Sequence, residues 1–217
     1  MLVGERMSQP VITVRPDTPI LDAYGLMQKE KIRRLPVVDK KGNLIGMLAE
    51  REILHASPSQ ATSLSIWELN YLMSRVTVNE IMTSDVITVN VDTPLEEAAM
   101  IMADNKIGGL PVMRDGKLVG IVTETDLFKV FLELFGAREP GIRLTVLVDN
   151  EPGEISKLTS AIYNAGGNIM ALGTSRGDDT NTGEITLKVE GIREADLREV
   201  VKAHVQKIVD LRSLKAI

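Results

Sequence analysis

Residues 106–128 read KIGGLPVMRDGKLVGIVTETDLF. Short apolar runs flank Asp115-Gly116, a dipeptide that favours the tight turn of a β-hairpin. Residues 118–122 form the second run, which feeds Thr123-Glu124-Thr125-Asp126 and a strongly apolar segment ending at Gly136. The stretch is expected to form a strand, a turn, a second strand and the start of a helix.

The chain states this unit twice. Residues 3–39 laid over 78–114, a shift of 75, coincide at Val11/Val86, Ile12/Ile87, Thr18/Thr93, Pro19/Pro94, Leu35/Leu110, Pro36/Pro111 and Val37/Val112, among others. One extra residue at Lys40-Lys41 lowers the shift to 74, and Leu44/Leu118, Gly46/Gly120 and Glu50/Glu124 continue the match. A duplication of this kind fixes the architecture before any single element is read. In each copy Thr18-Pro19 or Thr93-Pro94 supplies a cap residue followed by Pro at the first helical position. Glu96 completes a Thr-x-x-Glu capping box in the second copy. Leu95, Ala98, Ala99, Ile101 and Met102 follow at helical spacing. Leu35-Pro36-Val37-Val38 and Leu110-Pro111-Val112-Met113 read as strands with Pro near the start. The unit is strand, helix, strand, strand, helix. Two such units in tandem resemble a pair of CBS domains, the adenosyl-binding regulatory module, over about residues 1–135. The D-x-T-P entry, the L-P-V-V strand and the G-h-V-T-x-x-D helix start carry the resemblance.

Composition narrows the field. With 217 residues the chain holds one or two domains. Apolar residues make up 44% and charged residues 25%, an ordinary globular balance. Aromatics are only 3%, so the core is built from Val, Ile, Leu, Met and Ala. A formal charge of −5 argues against nucleic acid as a partner, because phosphate binding needs a basic face. The absence of Cys excludes disulfides and thiolate metal sites, and His55 and His204 alone do not make a metal cluster. Residues 1–10 carry no apolar run of signal-peptide type, and no stretch approaches the ~18 apolar residues of a membrane span. The expected location is cytoplasmic.

Repeat one is expected over 1–54, an inter-repeat segment over 55–77 and repeat two over 78–135. Residues 55–63 read as loop. Ser65-Ile66-Trp67-Glu68 is a capping box opening a short helix with Leu69, Leu72 and Met73 on one side. That helix reads as a patch over the open edge of the repeat pair, as a dimer contact or as a lid over a ligand. The last helix of repeat two, residues 127–135, is apolar on almost every side, so it is expected to pack against a second copy. Residues 136–141, GAREPG, read as a linker. Residues 142–217 then give strand, helix, strand, strand, helix, strand, a ferredoxin-like βαββαβ order. With its D-N-x-P-G turn and G-G-N-I, this part resembles an ACT domain, a small regulatory module that often binds amino acids between paired copies. The expected fold class is α+β: a CBS pair plus a ferredoxin-like ACT domain.

Thr123 and Asp126 stand where a helix cap is expected, and capping alone accounts for both. The same helix N-terminus attracts phosphate, and the CBS resemblance implies that Thr123 and Asp126 contact phosphate and ribose. It further implies that adenine lies against Val11, Ile12, Ile32 and Arg33. Arg33 reads equally as a phosphate partner and as a solvated surface charge. In repeat one Ala49 replaces the hydroxyl and Glu52 the Asp. The pseudo-symmetric site of Glu52, Val86, Ile87, Ile107 and Gly108 therefore ranks second, and one competent nucleotide site per chain is expected. In the C-terminal part, Asn150 and Asn168 match serine-binding positions of ACT domains and Gly153 allows close backbone approach; Val148 departs from the His those sites often carry. Turn and helix-exit roles explain the two Asn as well.

No nucleophile elbow, phosphate loop, dinucleotide fingerprint or Cys/His pair is present, so no catalytic or metal site is expected. The chain resembles CBS–ACT regulatory proteins of the acetoin-utilisation type. That resemblance implies a non-enzymatic sensor without an obligatory cofactor. Its regulatory ligand is expected to be AMP, ADP, ATP or another adenosyl compound, with an amino acid as possible second effector. A homodimer through CBS helices and the ACT sheet, and a regulated metabolic enzyme, are the expected partners. The competing expectation is a constitutive dimerisation scaffold with vestigial sites.

Overall fold

The computed structural model describes residues 1–56, 65–177 and 179–215. The loop expected over residues 55–63 lies mostly outside them. So do residue 178 of the polar turn and the side chains of Ile66, Leu69 and Asn70. Two compact units emerge, residues 1–127 and 128–217.

In the first unit the repeat is visible element by element. Copy one contains α1 (Val3–Arg6), α2 (Ile20–Glu30), β1 (Arg34–Val38), β2 (Leu44–Ala49) and α3 (Glu50–Ala56). The helix α4 (Ile66–Met73) follows, opened by the expected box: Glu68 accepts from the N–H and hydroxyl of Ser65 at 2.8 and 2.7 Å. Copy two contains α5 (Val78–Ile81), β3 (Val89–Asn90), α6 (Leu95–Asn105), β4 (Gly109–Arg114), β5 (Lys117–Thr123) and α7 (Glu124–Leu134), the last starting in the first unit and continuing past its boundary at residue 127. Asp115 and Gly116 both have positive φ, 51° and 73°, the backbone signature of the two-residue hairpin turn their sequence predicts. The leading strand of each copy is short. It is two residues in copy two and a single parallel bridge, Val14 to Val37, in copy one.

The expected caps at Thr18 and Thr93 do not form. Their hydroxyls accept instead from the N–H groups of Arg15 (3.2 Å) and Asn90 (3.1 Å), closing the turn before each helix, and Pro19 and Pro94 become the cap residues without a side-chain bond. A threonine hydroxyl serves whichever orphan N–H the local turn brings closest. A box does form at Thr77 with Glu80, whose carboxylate accepts from both the N–H and hydroxyl of Thr77.

The two copies exchange their leading segments. Ser8 pairs with Ile121 and Leu2 with Pro94, while Met47 pairs with Thr83 and Pro19 with Thr77. Met7 lies over Gly120 of copy two, and Met82 lies over Gly46 of copy one. Each hairpin therefore carries a glycine where the other copy's methionine needs the room. Leu2 and Ser8 at the head of repeat one thus pair with copy two, as Thr77 and Thr83 at the head of repeat two pair with copy one. The core of copy one, including Ile20, Met27, Leu35 and Val37, is fully buried, and Ile12 and Ile32 pack against it half-buried.

The second unit has a four-stranded antiparallel sheet in the order β7 (Asn168–Arg176), β8 (Thr182–Glu190), β6 (Gly141–Asp149), β9 (Lys207–Leu214). The helices α8 (Glu154–Asn164) and α9 (Glu194–Lys202) connect its strands, and Leu158, Ile162, Leu197 and Val201 seal it against Leu144, Val146 and Leu187. This is the expected ferredoxin-like α+β order. The start of the segment read as a linker is held, while residues 138–140 are exposed. Lys188, only 3% exposed, donates from Nζ to the Gly136 carbonyl at 2.9 Å, and the Phe135 ring fills the space over Gly173.

Asp210 on β9 accepts from Arg212 at 2.5 Å and from Arg143 on β6 at 2.6 Å. The Arg212 hydrogen bond, aided by Arg143, holds its carboxyl below the usual carboxylate range. A depressed folded value means that the stabilisation is present above about pH 4, the ordinary carboxylate value, and fades as pH falls through the lower folded value. Asp210→Asn is expected to flatten the acid limb of a melting-temperature profile between about pH 3 and pH 5, by at most one proton's slope. An unchanged limb would show that the cluster is ionically silent.

Among the described residues no helix is long and apolar enough to cross a membrane, and no group of three or more acidic, His or Cys side chains is arranged to hold a metal ion.

Candidate functional site

Within the first unit a cavity of about 340 Å³ opens where the two copies meet. Copy one contributes Arg33 and Arg34 at the head of β1, Met47 and Ala49 on β2, and Glu50, Arg51 and Glu52 at the start of α3. Copy two contributes Thr83, Asp85, Val86, Ile87, residues 106–109 and Glu124. Lys106 ends α6 in the left-handed conformation, φ 54°, which turns the chain into the cavity wall before β4 begins.

All five residues of the site ranked second by sequence, Glu52, Val86, Ile87, Ile107 and Gly108, line this cavity, and so does Arg33. The remaining residues of the site ranked first lie elsewhere. Val11, Ile12 and Ile32 are half-buried. Asp126 is 6% exposed, and its Oδ2 accepts from the Thr123 N–H (3.0 Å) and hydroxyl (2.8 Å), which is the cap that sequence predicts.

Charge in the cavity is mixed and unevenly paired. Arg51 is bonded to Glu52 at 2.7 Å, and Glu52 also accepts from the Ala49 N–H at 2.8 Å. Glu50 accepts from Gln28 at 3.2 Å. Among the described residues Arg34, its side chain 23% exposed, makes one ion pair, with Glu124 at 3.9 Å, beyond hydrogen-bond range. Burial pushes the Arg34 guanidinium below its ordinary value, a shift that Glu124 opposes and Arg33 and Arg51 reinforce. The Arg33 and Lys106 side chains make no hydrogen bond or ion pair among the described residues.

Arg34 reaches across to copy two because glycines leave it room. A Cβ on Gly108 would lie 1.9 Å from Arg34 Nη2, and one on Gly109 3.2 Å from its Cδ. In the repeat alignment Arg33-Arg34 stands opposite Gly108-Gly109. Sequence reasoning left Arg34, Lys106, Asp85 and Glu124 out of the site. The available signal was that mismatch, two cations facing two glycines in an otherwise matched stretch.

The second unit has a wider groove of about 880 Å³, lined by Asn150, Gly153 and the start of α8 on one side and by Thr174, Ser175, Arg176 and Glu184 on the other. Asn150 donates to the Thr180 carbonyl at 3.1 Å, a turn role. Asn168 is not in the groove. It sits at the opposite end of β7, eight residues from Arg176, and donates to Glu190 at 2.7 Å. At ~3.3 Å per strand residue the two ends are roughly 26 Å apart, so one copy does not bring the two asparagines together.

Comparison with known proteins agrees with this architecture. The CBS domain family matches residues 3–59 and 78–133, together just over half of the chain. The AHAS small subunit-like ACT domain matches residues 144–213. L-aspartate semialdehyde sulfurtransferase of Methanocaldococcus jannaschii is 33% identical over 131 residues, 60% of this chain but only 23% of that protein. Among solved structures, the CBS domain pair of protein MJ0100 in complex with 5-methylthioadenosine and S-adenosyl-L-methionine is 33% identical, with a TM-score of 0.51 over 60% of this chain and 95% of that one. A Vibrio cholerae protein assigned to acetoin utilization (AcuB) is 31% identical, with a TM-score of 0.52 over 64% of this chain and 98% of that one.

Proposed function

The chain belongs to the CBS domain family and carries an ACT-like domain behind its CBS pair, and from that premise we propose that it is a non-catalytic sensor binding an adenosyl ligand between the two repeats. The observation that carries this reading is the cavity at the repeat junction, walled by both copies and furnished with apolar side chains, carboxylates and cations. Adenine suits Val86, Ile87 and Ile107, and ribose hydroxyls suit a carboxylate acceptor. The neighbour crystallised with methylthioadenosine and S-adenosylmethionine supports the ligand class. The sulfurtransferase activity of the relative is left with that protein, since the match spans under a quarter of it. Ligand binding regulates only by favouring one arrangement over another. The junction, made of exchanged segments, is the element to be biased, and a metabolic enzyme is the kind of partner such a sensor would control.

The sensor acts as a homodimer in this reading. Phe128, Phe131 and Leu134 on α7 are 67%, 55% and 54% exposed, which is costly for side chains of that size in a lone chain. The groove of the ACT-like domain is the candidate amino-acid site, with Asn168 of a second copy rather than of the same one facing Asn150.

A thermal-shift panel tests the reading. An adenosyl ligand at one hundred times its dissociation constant is expected to stabilise the protein by about 2.7 kcal/mol, raising the melting temperature by several degrees. No shift with AMP, ADP, ATP, methylthioadenosine or S-adenosylmethionine would leave a constitutive scaffold instead.

A further inference from the structure

We propose that α7 is the lever through which an occupied junction cavity acts on the ACT-like unit, pivoting at its own first turn and latched to that unit by Lys188. This rests on the adenosyl reading above and adds the element that carries the regulation.

Three observations carry it. First, the division between the two compact units falls after Leu127, inside α7 rather than in the segment 136–141. The first turn of the helix belongs with the CBS pair, and the rest, from Phe128, with the ACT-like unit. Eleven helical residues at ~1.5 Å each make a rod of roughly 16 Å, and such a rod passes on a rotation that a flexible linker would absorb.

Second, the near end of the rod stands in the cavity wall. Glu124, its first residue, lines the cavity, and its N–H donates to the Gly108 carbonyl at 3.2 Å. Its carboxylate is half exposed and lies 3.9 Å from Arg34, so a ligand entering the cavity meets a side chain that is only loosely engaged.

Third, the far end is held. Gly136, φ 54°, closes the helix in the left-handed conformation, and the Ala137 N–H returns to the Leu132 carbonyl at 2.8 Å. Lys188 donates to the Gly136 carbonyl and, at 3% exposure, pairs with no carboxylate among the described residues. A buried ammonium is costly unless it is paired, and here the negative end of a helix is its partner. The Phe135 ring covers Gly173. Gly173 is on β7 and Lys188 on β8, and the same two strands wall the groove of the second unit through Thr174, Ser175, Arg176, Glu184 and Ile185. The end of the lever thus rests on the strands that shape the groove.

Hydrogen exchange on the full chain, at labelling times short enough to read local opening, tests this with AMP and methylthioadenosine as saturating probes. A probe that binds is expected to slow amides at residues 83–87 and 106–109, and also over 128–137, 171–176 and 184–188, by at least about fivefold, the low end of ordinary coupling between sites. Lys188→Met, which keeps the length of the side chain and removes its charge, is expected to leave the slowing at the cavity and abolish it beyond residue 127. Phe135→Ala carries the same test should Lys188→Met fail to fold. Two glycines inserted after Glu139, in the exposed part of the segment, should leave the pattern of the parent, because the latch lies before them. Slowing confined to residues 1–127 in the parent, slowing beyond 127 that persists undiminished in either substitution, or its loss in the glycine insertion overturns the lever and leaves the adenosyl reading standing. Failure of both probes to bind overturns both.

Discussion

Gly108→Leu is expected to weaken adenosyl-ligand binding at least a hundredfold, about 2.8 kcal/mol, while the free protein still folds. Gly108 does not adopt a positive φ, so a side chain there brings no backbone strain. The effect is one of space. A Cβ at this position would lie 1.9 Å from Arg34 Nη2, 2.7 Å from Arg34 Cζ and 2.6 Å from Glu124 Oε2. All three are ends of flexible side chains, so Arg34 swings aside instead of the backbone parting. It swings within a cavity of about 340 Å³, and the rest of the leucine fills that cavity too. The variant thus removes ligand volume and displaces Arg34 together. Calorimetry with the ligand that binds the parent, alongside melting of the free protein, reads both effects. Retained binding in Gly108→Leu together with loss in Thr123→Ala would move the ligand to the other helix start, where Thr123 and Asp126 cap α7.

That alternative is open because sequence ranks the Thr123 site first, while the folded chain places the five residues of the second-ranked site around one cavity. A hydroxyl and a carboxylate three residues apart form a cap whether or not a ligand is near, so Thr123 and Asp126 were legible as a pair but not as a binding site. Local pattern revealed what local physics controls. The Asp115-Gly116 turn, the Ser65 box and the βαββαβ order of the second unit follow from turn chemistry, capping and periodicity within a few residues. The tandem fold was legible because it is written twice. What eluded sequence was long-range. The choice between Thr18 and Thr77 as working caps depends on which orphan N–H the chain's path brings within reach. The packing of Phe135 over Gly173 and the bond from Lys188 to Gly136 join residues 38 and 52 apart. Arg34 entered the site only once the opposite repeat supplied Gly108.

The exchange of leading segments, another long-range feature, supports the second large prediction. Gly46→Val and Gly120→Val are each expected to cost ~1–3 kcal/mol, the usual range for overfilling a packed core. Since they share no partner, the double variant should lose ~2–6 kcal/mol. A Cβ on Gly46 would meet Met82 Sδ at 2.4 Å and the Thr83 carbonyl oxygen at 3.2 Å. On Gly120 it would meet Met7 Sδ at 2.5 Å and the Ser8 carbonyl oxygen at 3.1 Å. The methionines can change rotamer, but the carbonyls are held. Thr83 exchanges backbone hydrogen bonds with Met47 at 2.8 and 2.9 Å, and Ser8 does so with Ile121 at 2.8 and 3.2 Å. Relief at either glycine means breaking one of these pairs, and urea midpoints of the first unit should fall with the slope unchanged. Variants within 0.5 kcal/mol of the parent would show the segments to be loosely laid on. The two sites then part company in function. Met47 and Thr83 also wall the ligand cavity, whereas Met7, Ser8 and Ile121 do not. Gly46→Val should therefore weaken ligand binding as well as stability, and Gly120→Val should lower stability alone, so equal binding losses in the two would contradict the placement of the ligand at the junction cavity.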